Sequence, residues 1–177
     1  SSGTSTWKGP FYLHPPHGSI RTCHFLALVD DHSRYLLGIR ALPTKEAVPV
    51  LETLAEAIEL CGVPLALMSD NGTPFVTIVR TMLSRFQRSL AELEIRHIRT
   101  QIDTPWTNGK IEAFWATLQA EVLDRQYLAD LAAADAAVTA YATYYNFHRL
   151  HGALGWRTPA ERFDGTPFAD RGFEHVP

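Results

Sequence analysis

The chain has 177 residues, 46 % of them hydrophobic and 20 % charged, with a formal net charge of −3. These values suit one globular domain, or one domain with a tail, and exclude disordered, collagen-like and coiled-coil chains; no apolar run nears the ~18 residues of a membrane span. Two cysteines, Cys23 and Cys61, make neither a disulfide framework nor a four-cysteine zinc site, so a reducing, cytoplasmic setting with no leader and no membrane contact is expected.

Ser1–Thr6 is small and polar and reads as a linker or as foreign residues, with order expected from Trp7. Trp7–Leu13 reads as a strand, ended by the turn residues Pro15, Pro16 and Gly18. Phe25–Val29 and Tyr35–Leu42 are apolar runs of strand length, and Asp30-Asp31-His32-Ser33 between them predicts a hairpin. A helix is expected from an N-cap at Thr44, through Leu51, Leu54 and Ile58, to a stop at Gly62. Leu65–Met68 is a short strand ending in the loop signal Ser69-Asp70-Asn71-Gly72. The spacing then predicts a helix over Ile78–Leu93, a strand at Arg96–Ile98, and a helix capped by Asn108 with Ile111, Phe114, Trp115, Leu118 and Val122 as its buried stripe. A last Ala-rich helix covers about Leu128–Phe147, and the remainder reads as an extended tail. Strands first in a meander, then alternating with helices, argue a mixed α/β sheet with helices on its faces. The expected organisation is a linker at 1–6, a core at 7–148 and a tail at 149–177.

Two carboxylates stand out. Asp70 lies just past the C-terminal end of a strand, the edge where α/β sheets place their sites; an aspartate shaping its own turn is the other reading. Glu112 shares a helix face with Asn108, Ala116 and Gln119, about 100° round from the apolar stripe, and is equally explained as a glutamate favoured by the helix dipole. Converging, the two could hold a hard divalent cation such as Mg²⁺. Lys110 is either a point-charge contact to phosphate or a solvated lysine at a helix start. His148, Arg149 and His151 form a small basic cluster, open to DNA contact or helix-end packing. His14, His17, Cys23 and His24 lack the paired spacing of a structural zinc site. Trp7, Trp115 and Cys61 read as core residues, and Asp30 and Asp31 as turn formers that accept from nearby amides or pair with Arg34.

Taken together, Ser69-Asp70-Asn71-Gly72-x-x-Phe75, Ile95-Arg96-His97 and Pro105-x-x-Asn108-Gly109-Lys110-Ile111-Glu112 resemble the catalytic core of bacterial insertion-sequence transposases related to retroviral integrases. Leu28-Val29-Asp30-Asp31-His32-Ser33-Arg34-Tyr35 is similar to that family's second-strand signature. Tyr145-Asn146-x-x-Arg149-x-His151-x-x-Leu154, followed by Thr158-Pro159, is similar to its C-terminal one.

The resemblance implies a ribonuclease H-like fold, a mixed sheet of about five strands flanked by helices, and a DNA transposase or integrase core that cleaves and joins strands by metal-dependent phosphoryl transfer. It implies a triad of two aspartates and a glutamate holding two Mg²⁺ or Mn²⁺ ions, with Asp70 and Glu112 as catalytic and metal-binding residues. Asn71, Asn108, Lys110, Arg149 and His151 are the implied DNA contacts. The first aspartate should precede Trp7-Lys8-Gly9, where this chain has Thr6. Foreign residues, a deliberate exchange and a repurposed copy each account for that departure. The alternative function is accordingly a non-catalytic DNA-binding or assembly module of the same fold. A second departure is the long stretch between Asp70 and Glu112, its excess expected around Thr77–Arg88. The implied partners are element-end and target DNA, a separate N-terminal DNA-binding domain and further copies of the chain, in a bacterial cytoplasm at the nucleoid. The lack of a basic excess agrees with a core that borrows its DNA grip from such a domain or subunit.

Overall fold

Small side chains at the start of the chain build the middle of a sheet. In the computed structural model, which describes residues 2–69, 75, 84–99 and 105–165 (side chains of 105–108 excepted), the sheet has five strands in the order β3-β2-β1-β4-β5. Central β1 (Ser2–Leu13) pairs antiparallel with β2 (Arg21–Asp30) and parallel with β4 (Ala66–Ser69). β3 (Leu36–Leu42) lies antiparallel against β2, and β5 (Arg96–Arg99) parallel against β4. The mixed α/β sheet agrees with the expectation, and the hairpin turns at 31–35 as predicted. The start at Trp7 does not hold. Gly3, Thr4 and Ser5 are buried strand residues, because a central strand covered on both faces admits small groups best; a Cβ at Gly3 would lie only 3.3 Å from Leu67 Cδ1.

Period-2 alternation feeds two cores. On one face Trp7, Leu26, Leu28 and Leu67 pack with Val50 and Leu54 of α1 (Ala47–Cys61) and Phe86 and Leu90 of α2 (Arg85–Glu92). On the other, Phe25, Ala27 and Val29 meet α3 (Pro105–Leu118) and α4 (Leu131–Phe147). Gly38 lets α1 approach β3, since a Cβ there would meet Thr53 Cγ2 at 2.7 Å.

Several helix starts move. Thr44 is not the cap of α1; its hydroxyl donates to Glu46 Oε1 (2.7 Å), and Glu46 takes the N-cap position. Gly62 ends α1 at φ 80° as expected. α2 opens with a capping box at Ser84 and Gln87; the earlier start predicted at Ile78 lies outside the described residues. α3 begins at Pro105, where a missing N–H costs nothing, so Asn108 is inside the helix and not its cap. Asp130 caps α4 by accepting from Ala133 N (2.8 Å), leaving Leu128 before the helix but in the core.

As far as residue 165 the tail is not extended. His151 bridges to Arg157, a 3₁₀ turn covers Gly152–Leu154, and α5 (Pro159–Phe163) has a capping box from Thr158 and Glu161. Phe163 stacks on Tyr35 at 4.8 Å, tying this segment to the β2–β3 turn. Buried Asn146 of α4 both accepts from Leu36 N (2.8 Å) and donates to Leu36 O (2.9 Å), and Asp135 accepts from Ala41 N (2.8 Å). Two polar staples thus hold α4 on edge strand β3.

Asn146→Ala would leave both Leu36 groups unpaired in the core, so a loss of about 1–3 kcal/mol is expected, read as a lower urea midpoint at unchanged slope. Burial, and secondarily Arg149, pushes the His151 imidazole down to about 4 from its ordinary 6.5. The unfolded chain therefore takes up this proton first, and stability should fall as pH drops from 6.5 toward 4, with no such penalty above 6.5. His151→Phe should flatten that part of the melting-temperature profile. A residual slope should remain from His24 and His97, also held below their ordinary value by burial.

Candidate active site

Pairing along β1 sets the frame. Ser5 lies opposite Ser69, the last residue of β4; beyond them the chain continues as Thr6 on β1 and as Asp70 after β4. Thr6 is half-buried and pairs with Ala27, so it stands on the sheet face that carries Ala27 and Val29 beneath α3 and α4. Asp70 and Asn71 lie outside the described residues.

α3 buries Ile111, Phe114, Trp115 and Leu118 in that same face, and the predicted stripe is complete with Val122 in the π-helical turn Gln119–Leu123. Glu112 falls off the stripe and is exposed. Trp7 and Trp115 are core residues as expected, whereas Cys61 is only half-buried. Asn108 belongs to α3, its side chain outside the described set.

Beneath the strand ends lies a polar layer on the opposite face. Ser69 Oγ is 2.7 Å from His97 Nε2, and the His97 ring meets Phe86 edge-on at 5.4 Å. Desolvation, then Arg99, holds His97 below its ordinary value, so it is neutral near pH 7 and exchanges a neutral hydrogen bond with the serine. Ser5 Oγ is buried with no partner among the described residues.

The basic candidates are engaged internally. Lys110 Nζ donates to both carboxylate oxygens of Asp31 (2.9 and 2.9 Å) and to its carbonyl (3.2 Å). Asp30 and Asp31 are turn formers as expected: Asp30 Oδ2 accepts from Ser33 N (2.8 Å) and Ser33 Oγ (2.7 Å), and Arg34 donates to the Asp31 carbonyl. Arg149 Nε donates to the Glu121 carboxylate (3.0 and 3.2 Å), which also accepts from Tyr141 OH (2.6 Å). Burial and that bond push the Tyr141 phenol up, so it serves as a donor only. His151 Nε2 is buried without a partner among the described residues, beside Tyr145, on a cleft of about 260 Å³ that Arg34, Lys110 and Phe114 also line.

The structure thus brings Thr6 and Glu112's helix to one sheet face and gathers Arg34 and Lys110 with His151 on one cleft. Sequence reasoning missed Glu121 as partner of Arg149 and Tyr141, and Asp31 as partner of Lys110. No local signal marks either, since Asp31 and Lys110 are 79 positions apart. Among the described residues no group of three histidine, cysteine or carboxylate side chains is arranged to hold a metal ion.

Residues 93–159 match the integrase core domain family. The chain is 27 % identical over 161 residues to an uncharacterized 39.2 kDa protein of insertion element IS476 from Xanthomonas euvesicatoria, covering 91 % of this chain and 44 % of that one. It is 26 % identical over 163 residues to the transposase for insertion sequence element IS904 from Lactococcus lactis, covering 88 % of this chain and 59 % of that one. It therefore spans about half the length of these relatives. Among solved structures, the catalytic core domain of BIV integrase superposes with a TM-score of 0.63 at 18 % identity, covering 92 % and 93 % of the two chains. The HTLV-2 integrase catalytic core domain in complex with magnesium (trimeric form) gives 0.61 at 17 %, covering 90 % and 95 %. These likenesses establish the ribonuclease H-like fold. Motifs, sheet order and relatives converge: residues 93–159 match an integrase core domain, and the chain is similar in sequence to insertion-sequence proteins and in fold to retroviral integrase cores.

Proposed function

We propose that this chain is the DNA-cutting and DNA-joining core of a transposase whose first carboxylate is replaced by Thr6. The observation that supports this most is the β1–β4 pairing: the rung Ser5–Ser69 is followed on β1 by Thr6, which stands on the face covered by the helix of Glu112, and Asp70 is the next residue in the sequence after Ser69.

In such cores a pair of divalent cations, Mg²⁺ or Mn²⁺, activates the attacking oxygen and stabilises the leaving one. The side chains of this chain do not fit that pair as they stand. Two dications about 3.5–4 Å apart repel strongly and need several carboxylates, whereas the Thr6 hydroxyl brings no charge. No catalytic step is therefore assigned to the unaltered chain. Its own residues supply what remains: Asp70 and Glu112 as two acidic ligands, with Asn71 and Asn108, close to them in sequence, as DNA contacts. Lys110 and Arg149, also expected on DNA, are paired with Asp31 and Glu121 within the chain, and His151, neutral near pH 7, faces a cleft, so in this reading none of the three is a free donor to DNA. The net charge of −3 requires further grip, for which we invoke a separate N-terminal DNA-binding domain and additional copies of the chain. No helix among the described residues is long and apolar enough to cross a membrane, and a bacterial cytoplasmic setting at the nucleoid belongs to the same proposal.

A second reading, a non-catalytic DNA-binding or assembly module, is favoured by one feature. Thr6 is a fitted residue of the central strand, paired with Ala27 and flanked by buried Ser5 and Trp7. One assay separates the two: joining of a 3′-processed oligonucleotide in Mn²⁺ by the chain as it stands, by Thr6→Asp, and by Thr6→Asp with Glu112→Gln. The expected results are no product, product, and no product. Silence of Thr6→Asp, with the oligonucleotide shown to be bound, favours the assembly module.

A further inference from the structure

We infer that Asp31 and Lys110 form a clamp that sets the pose of α3 on the sheet, making Lys110 a positioning residue for Glu112 and not a phosphate contact. The inference deepens the proposed function and rests on its assignment of Glu112.

The start of α3 is held by a polar contact to the β2–β3 turn. Its buried apolar residues begin at Ile111, and the described side chain just before it, Lys110, reaches across to the β2–β3 turn. An ammonium has three N–H donors, and here Asp31 supplies three acceptors: two carboxylate oxygens and its own carbonyl. No donor is left over for a phosphate. Asp31 is itself fixed. Its amide donates to Ser2 O (2.9 Å) at the head of β1, and Arg34, in the left-handed region at φ 66°, donates to its carbonyl. The clamp therefore references α3 to the same central strand that carries Thr6. Glu112 sits two residues beyond Lys110, so a roll of the helix about its axis would carry its exposed carboxylate to a different position over the sheet.

Magnitude separates positioning from stability. The two side chains are 38 % and 37 % exposed, and ion pairs so exposed contribute little to folding. What such a pair can hold is a ratio of poses of about fivefold. A phosphate-contacting lysine would behave otherwise, weakening DNA binding and lowering its salt dependence by about one counterion.

The test compares Lys110→Met, Asp31→Asn and the double variant, each in the unaltered chain and with Thr6→Asp. In the unaltered chain, amide exchange over residues 109–113 should quicken about fivefold in each variant, the double no worse than either single. Affinity for a fluorescent duplex and its salt slope should stay unchanged. With Thr6→Asp, the joining kcat should fall about fivefold at constant KM, again without additivity. Weaker duplex binding with a shallower salt slope in Lys110→Met alone would overturn the clamp in favour of a DNA contact. Unchanged exchange in all variants would overturn it outright. If Thr6→Asp joins nothing, the proposed function fails, while exchange and duplex binding still judge the clamp.

Discussion

A single strand, β1, has hydrogen-bonded neighbours of opposite sense on its two sides, and most of the molecule is arranged by that fact. Antiparallel β2 brings in the hairpin with β3; parallel β4 brings in β5 and the helices that connect them. A parallel neighbour cannot be reached by a tight turn, so α1 must cross over one face. α3 and α4 are then left to cover the other. Any residue near the end of the β1–β4 ladder sits at the sheet centre with a helix layer above it. There, groups from distant segments can meet.

Such a centre demands small side chains and favours polar ones that are paired. Gly3, Thr4, Ser5 and Ser69 keep the strands close, and the Ser69–His97 bond places a neutral donor–acceptor pair where a charge would be costly. The α4 side is managed differently. Asn146 and Asp135 spend their side chains on backbone groups of β3, so an Ala-rich helix gains specificity of placement that its small apolar residues alone would not supply. Arg149, Glu121 and Tyr141 close a further network where α4 meets the π-helical end of α3.

Charge is treated sparingly throughout. Lys110 and Arg149, the cations nearest to the proposed site that motif reading assigns to DNA, each have an acidic partner within the chain. With a net charge of −3, the domain is poorly suited to capture a polyanion unaided. Thr6 belongs to the same picture: the strand accommodates it without distortion, yet a hydroxyl leaves the local field without the charge that two cations need.

Local rules carried much of this. Alternating and helical apolar periods marked the hairpin, β4, β5, the stripe of α3 and the body of α4, and short motifs carried the resemblance to integrase cores, because these signals depend on neighbours within a turn or a strand. They failed where long-range packing overrode composition. Ser2–Thr6 looks like a linker and is a central strand, since burial against Leu67 and Val29 rewards small residues; the Gly- and Pro-containing tail folds back because Tyr35 offers Phe163 a ring to stack on. The caps at Thr44 and Asn108 shifted for local reasons, a hydroxyl bonded to Glu46 and a helix that starts at Pro105. The partners of Lys110 and Arg149 were illegible: an ion pair between residues 79 or 28 positions apart has no period or spacing to betray it, and comes into being only when the sheet and helices bring the two charges together.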